Sequence, residues 1–183
     1  MSNFAQKHTK ITTFYLLTPG HARMKEELIH HSRWKKTVLV IPVLASEFTD
    51  PENRPVFENI LDHLRHAPYI SRILFGLDGA TEEEARELWD MARRRGLQNT
   101  LVVHNDGPGF RGIYDQLSQA GFALDVRGKG RNMFLSFGIA MALGAQTVAL
   151  VDADIRTFTC EQLDRLIYPV QVLNYQFSKA FYA

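Results

Sequence analysis

The sequence is short of cysteine, of one-sided charge and of long apolar runs, and each shortage closes off a class of protein. Cys160 is the single cysteine among 183 residues. An intramolecular disulfide needs two cysteines and a cysteine-cluster metal site more, so a reducing cytoplasm is the expected compartment. Basic and acidic residues nearly cancel, 21 against 20, for a formal charge of +1. So even a balance gives no electrostatic footprint for a general nucleic-acid or membrane-surface binder. No apolar run approaches the ~18 residues of a membrane-spanning helix, and Met1 to Lys10 is polar, without the apolar core of a signal peptide. The expectation is therefore no nucleic-acid partner and no membrane span. The histidines show no metal-ligand spacing; His30-His31 and His63/His66 read as helix-surface residues.

What is present suits one soluble domain with one sizeable core: 45% hydrophobic and 22% charged residues, without internal repeat or low-complexity tract. Residues 1–34 read as an N-terminal extension packed on a main domain of residues 35–183. Ile11 to Leu17 suggests a short strand, Thr18-Pro19-Gly20 punctuates it, and Arg23 to Ser32 suggests a short helix. From Thr37 to Leu44 the chain is unbroken, apolar and β-branched, the pattern of a strand buried on both faces. A polar loop is expected over Ser46 to Arg54, then a helix over Pro55 to His66 with Phe57, Ile60, Leu61 and Leu64 on one stripe. Ile73 to Leu77 is a second buried strand, ending in Asp78-Gly79. Thr81 with Glu84 forms a capping box for a helix running to about Arg95 and stopped by Gly96. Thr100 to His104 is a third strand, and Phe110 to Ala120 a helix. Gly128-Lys129-Gly130 reads as a tight loop before a helix over Asn132 to Leu143. Gln146 to Val151 is a fourth strand, ending in Asp152-Ala153-Asp154. Thr159 and Gln162 cap a last helix that ends near Pro169, and Val172 to Tyr182 is expected to be extended. Arg93-Arg94-Arg95 reads as a solvated helix end, and Trp34, Trp89, Phe134 and Phe137 as core residues.

Strands alternating with helices predict an α/β fold: a doubly wound, mostly parallel sheet with helices on both faces. In such sheets ligands bind outside the carboxyl ends of the strands. The polar motifs fall there: Ser46-Glu47 after strand one, Asp78-Gly79 after strand two, Asp152-Ala153-Asp154 after strand four.

Two carboxylates at the end of a buried strand must meet solvent, a cation or hydrogen-bond donors. Mg²⁺ or Mn²⁺ suits them, since both take carboxylate oxygens and bridge to substrate phosphates. Taken alone, Asp-x-Asp also fits a strand end with a capping aspartate. Gly128-Lys129-Gly130 before a helix permits close backbone approach to an anion, and Lys129 could reach a diphosphate; a plain glycine turn is the other reading. Asp78 suits a ribose or base contact, or is a turn aspartate before Gly79. Glu47 is either a site residue or a solvated loop residue. The Walker A and G-x-G-x-x-G patterns are absent, which removes support for P-loop and NAD readings. A haloacid-dehalogenase-type phosphatase also carries Asp-x-Asp after a strand, but Arg156 stands where Thr or Val is wanted, and the motif lies too late in the chain.

Ile41-Pro42-Val43-Leu44 in strand one, Leu77-Asp78-Gly79, Gly128-Lys129-Gly130 before a helix and Val151-Asp152-Ala153-Asp154 together resemble the GT-A glycosyltransferases. The likeness is closest to the glucosyl-3-phosphoglycerate and mannosylglycerate synthases of glycosyltransferase family 81, and it covers about Lys36 to the end. The resemblance implies a Rossmann-like GT-A fold. It implies that Pro42 and Val43 flank the nucleobase, that Glu47 and Asp78-Gly79 belong to the donor-nucleotide site, and that Lys129 contacts the nucleotide. Asp152 would touch the ribose, Ala153 would belong to the donor-nucleotide site, and Asp154 would ligate Mg²⁺ or Mn²⁺. Phe177-Ser178-Lys179-Ala180-Phe181-Tyr182 resembles the segment that opens the acceptor region, with Lys179 and Tyr182 in it. The family's Pro-Ala-Leu-Asn-Glu-Glu departs here to Pro42-Val43-Leu44-Ala45-Ser46-Glu47, which leaves uridine and guanosine both open. Family chains continue well past this segment, so the chain reads as a donor-binding half without its acceptor half. The implied activity is metal-dependent, retaining transfer of a hexose from UDP-glucose, or from GDP-mannose, to a small acceptor such as 3-phosphoglycerate or glycerate. No residue offers itself as a nucleophile, and a homodimer is one assembly compatible with this reading, the oligomeric state being left open by the sequence. The competing readings are a sugar nucleotidyltransferase-like enzyme, which would want a glycine-rich loop after strand one, and a non-catalytic nucleotide-binding module.

Overall fold

The structure is a computed structural model that describes residues 20–122, 124 and 126–180. The strand expected over Ile11 to Leu17 and the acceptor-region Tyr182 lie outside these residues. In chain order the elements are α1 (His21–His31), β1 (Thr37–Leu44), α2 (Ser46–Thr49), α3 (Arg54–Leu64), β2 (Ile70–Asp78) and α4 (Glu82–Arg94). Then come β3 (Thr100–His104), a 3-10 turn (Pro108–Phe110), α5 (Arg111–Gln119), α6 (Lys129–Ala142), β4 (Thr147–Leu150) and α7 (Cys160–Gln171).

The sheet is parallel throughout, in the order β3-β2-β1-β4. Alternation along β1 divides the core. Leu39, Ile41 and Val43 face Phe57, Ile60, Leu88, Met91, Leu163 and Ile167, which come from α3, α4 and α7. Val38 and Val40 face the other way, with Leu74, Val103 and Ala140, the last from α6. A strand buried on both faces is what an unbroken apolar run requires, because neither face can be given to water. The chain winds outward from β1 to β3 and then returns through α6 to β4 on the far side of β1. That reversal leaves an opening at the carboxyl ends of β1 and β4, where doubly wound sheets bind ligands. Among the described residues no helix is long and apolar enough to cross a membrane.

Strands one and three have the predicted limits, and both capping boxes are formed, Thr81 with Glu84 and Thr159 with Gln162. Other expectations are corrected. Ser46 to Thr49 is a short helix rather than loop. Helix α6 begins at Lys129, not Asn132, so Lys129 and Gly130 belong to its first turn and only Gly128 precedes it. Pro169 lies inside α7 with its ring buried, and the helix continues to Gln171. A proline forgoes a single N–H bond, and near a helix end burial of the ring offsets that loss. The described residues after Val172 form no strand.

Trp34, Trp89 and Phe134 are 52%, 42% and 42% exposed, not core. Each is covered locally instead: Trp34 by His30, Trp89 by the Arg93 guanidinium, Phe134 by Phe122. Arg95 is not a solvated end; it is held to α3 by Glu58 at 3.1 Å and Asp62 at 3.4 Å.

Candidate functional site

The first wall of the site is the end of β1. Val43 is buried and Pro42 half-buried, and the Ala45 N–H donates to the Asp78 carbonyl at 3.2 Å, which joins the β1 and β2 ends. Helix α2 starts at once, with Glu47 in its first turn, a position favourable to a carboxylate. Burial nonetheless pushes the Glu47 carboxyl up, and the like charge of Asp154 adds to the push. Two acids more than one hundred residues apart in sequence therefore confront each other across the β1–β4 opening.

The second wall is the end of β2. Asp78 is buried, and its carboxylate is held at both oxygens. Asn105 Nδ2 donates to Oδ1 and Asn132 Nδ2 to Oδ2, each at 3.0 Å, and an Arg131 terminal nitrogen stands 3.7 Å from Oδ1. Asn132 also donates to the Gly76 carbonyl at 2.7 Å and accepts from Ser136 Oγ. Gly79 follows with φ +64°, in the left-handed region that glycine enters freely, and its N–H donates to Asp106 Oδ2 at 2.8 Å. Burial alone would raise the Asp106 carboxyl. The bond from the Gly79 N–H and the charges of Arg131 and Arg127 outweigh it and hold Asp106 below the ordinary aspartate value.

The third wall joins α6 to β4. Lys129 Nζ donates to Asp152 Oδ1 at 2.5 Å, and both side chains stand about half in solvent. Ala153 is buried, which fixes the strand end between Asp152 and an exposed Asp154. No group of three or more His, Cys, Asp or Glu is arranged to hold a metal among the described residues.

Glu47 with Asp154, and Lys129 with Asp152, are thus brought together at the switch-point edge. Asp78 and Gly79 join them through Arg131, two residues beyond Lys129. Lys179 is exposed on the irregular segment after α7. Sequence reasoning missed Asn105, Asp106, Arg131 and Asn132 as partners of Asp78-Gly79. A signal existed: Asn105-Asp106-Gly107 closes strand three as Asp78-Gly79 closes strand two, and Arg131-Asn132 share the turn of Lys129. An open groove of about 530 Å³ runs elsewhere, along β3, lined by Leu101, Val103, Phe110 and Ile139. It is apolar and includes none of the predicted donor residues, so the strand-end edge, where charge converges, is the stronger site.

The four-stranded all-parallel sheet flanked by helices defines an α/β domain of the Rossmann-like, GT-A type. The chain is 32% identical over 186 residues to the glucosyl-3-phosphoglycerate synthase of Persephonella marina, across all of this chain and 45% of that protein. It is 31% identical over 148 residues to the glucosyl-3-phosphoglycerate synthase of Methanococcoides burtonii, across 79% of this chain and 35% of that protein. The chain therefore spans less than half the length of these curated relatives. No family model matches it, and no solved structure matches it significantly. The kinship read from the motifs is thus shown along the whole chain: it is a homologue of the glucosyl-3-phosphoglycerate synthases, and both relatives carry the name of a glycosyltransferase.

Proposed function

We propose that this chain is the nucleotide-sugar-binding part of a glycosyltransferase that moves a hexose from UDP-glucose to a small acceptor such as 3-phosphoglycerate or glycerate, with retention of configuration. GDP-mannose is the second donor candidate. The observation that supports this reading is the meeting of Asp78-Gly79, Lys129 and Asp152-Ala153-Asp154 at one sheet edge, in a chain homologous throughout to such enzymes.

In this reading Pro42 and Val43 flank the base, and the pre-oriented Asp78 carboxylate accepts a hydrogen bond from the base or ribose. Asp152 takes the ribose side. Lys129 exchanges the Asp152 carboxylate for the donor diphosphate, one anion for another, at little electrostatic cost. Asp154 would hold Mg²⁺ or Mn²⁺, with Glu47 close by. A single exposed carboxylate fits such an ion, which takes most of its other oxygens from water and the donor's phosphates. When bound, the ion neutralises charge on the departing diphosphate. In the transfer the bond from the sugar C1 to the phosphate oxygen breaks, a bond from an acceptor oxygen to C1 forms, and the acceptor hydroxyl proton passes to the departing diphosphate oxygen. Lys179 and Tyr182 belong to the proposed acceptor side. A cytoplasmic homodimer remains part of the proposal.

Calorimetric titration of UDP, GDP and UDP-glucose, with and without Mn²⁺, tests it. UDP binding that strengthens at least tenfold with Mn²⁺ is expected. Nucleotide binding indifferent to metal would point to a plain nucleotide-binding module, and no binding would sink the transferase reading.

A further inference from the structure

The part of the site that no motif describes is the polar cluster beneath Asp78 and Gly79. Arg131 is its centre. Its side chain is only 7% exposed. One terminal nitrogen lies 3.1 Å from Asp106 Oδ1 and 3.7 Å from Asp78 Oδ1. The guanidinium carbon sits 5.1 Å from the Tyr114 ring centre, and the Tyr114 hydroxyl donates to the Asn105 carbonyl at 3.0 Å. Asp106 in turn accepts the Gly79 N–H. Arg131 itself stands in the first turn of α6, two residues after Lys129. One side chain thus ties together the loop after β2, the loop after β3 and the turn that carries Lys129.

We propose that Arg131 and Asp106 are positioning residues of the donor site, a lock that fixes Asp78, Gly79 and Lys129 relative to one another before any ligand arrives. The chemistry favours arginine here. Asp78 and Asp106 lie side by side, and without a cation between them their charges repel. A guanidinium offers several donors in a rigid plane and can serve two carboxylates while stacking on a ring; an ammonium is a point charge and cannot do all three. Arg127 also approaches Asp106, at 3.5 Å, but its side chain is largely exposed and free to move. Ligand groups held by Asp78 and Lys129 must meet both at once, so a shift of one loop against the other weakens binding even though neither Arg131 nor Asp106 touches the ligand.

This inference rests on the donor-site reading, and the experiment separates the two. UDP affinity in the presence of Mn²⁺ is measured for the unaltered chain, Arg131→Met, Asp106→Ala and the double variant, with amide exchange at Gly79 followed without nucleotide. Each single variant is expected to weaken UDP at least tenfold and to speed Gly79 exchange at least tenfold. The double variant should be no more than threefold worse than either single one, because both remove one lock. UDP affinity within twofold of the unaltered chain in both single variants would overturn the lock, as would losses that multiply in the double variant. If the unaltered chain itself binds no UDP, the donor-site reading fails and the lock's role in it fails too. Arg131→Lys serves if Arg131→Met does not fold: a loss of at least threefold is expected, and unchanged affinity and exchange overturn the proposal.

Discussion

At the ends of β2 and β3 the polar groups are shut in. Asp78 is 7% exposed, held by two asparagine amides with an arginine beside it, and these contacts come from the loop after β3 and the start of α6. At the ends of β1 and β4 the polar groups reach water, Glu47 less than the others: Asp154 is exposed, and Lys129 and Asp152 form a single ion pair at 2.5 Å. The same sheet edge therefore carries two kinds of charge. One is compensated by the protein itself, and its geometry is set on folding. The other is compensated by little more than solvent and a neighbouring lysine, and a ligand or ion can replace those partners. A buried carboxylate that lost a partner would be costly, whereas an exposed ion pair contributes little to stability. The contrast predicts that substitutions on the closed side act first on stability and those on the open side first on binding.

The sharpest break of the closed side is Gly76→Ala. A Cβ at Gly76 would collide with Asn132 Oδ1 and Ser136 Oγ, the groups that hold α6 to β2 and set the Asn132 amide on Asp78. The expected loss is about 3 kcal/mol, as for overpacking of a tight core. For a chain of this size that is roughly a 6–12 °C fall in melting temperature, read by thermal denaturation. A melting temperature within about 1 °C of the unaltered chain would show that the closed side yields easily.

On the open side the order of effects reverses. Asp154→Ala and Lys129→Ala should each leave the melting temperature within about 4 °C, since exposed charges and their pairs contribute under about 1 kcal/mol. Both should weaken Mn²⁺-dependent UDP binding at least tenfold. Unchanged UDP–Mn²⁺ affinity in Asp154→Ala would remove Asp154 from the metal site.

A smaller effect separates the sides by pH. The Gly79 N–H and Arg131 hold the Asp106 carboxyl below its ordinary value despite burial. A lowered acid pKa stabilises the fold above the unfolded value, and the contribution is lost as pH falls through the folded value. Below about pH 4 the stability advantage of the unaltered chain over Asp106→Asn should therefore shrink, in urea titrations at stepped pH. A constant advantage down to strong acid would mean that the Asp106 charge plays no part.

The strands and the polar edge beyond them were legible in the sequence, and the partners that close over Asp78 were not. Thr37–Leu44 and Thr100–His104 announced themselves as apolar β-branched runs, and the polar residues just beyond strands one, two and four marked the edge. Gly128-Lys129-Gly130 lies beside Asp152, a pairing the sequence did not announce, and its glycines argued for loop where the helix begins at Lys129. The closed side rests on bonds between residues far apart in sequence: Asn132 to Gly76 spans 56 residues and Arg131 to Asp106 spans 25. Local pattern marks these residues as strand-end and helix-start positions but does not say which of them pair. The exposed tryptophans escaped for another reason: their partners His30 and Arg93 lie only four residues away on the surface, and an aromatic residue on its own reads as core.

The most direct test of the donor site is to map backbone amide shifts by NMR as UDP and Mg²⁺ are added together. Shifts should concentrate at Val43, Gly79, Lys129 and Asp152 to Asp154, with the groove along β3 unmoved. Shifts confined to Leu101, Val103 and Phe110, or none at saturating UDP and Mg²⁺, would contradict a donor site at the β1–β4 edge.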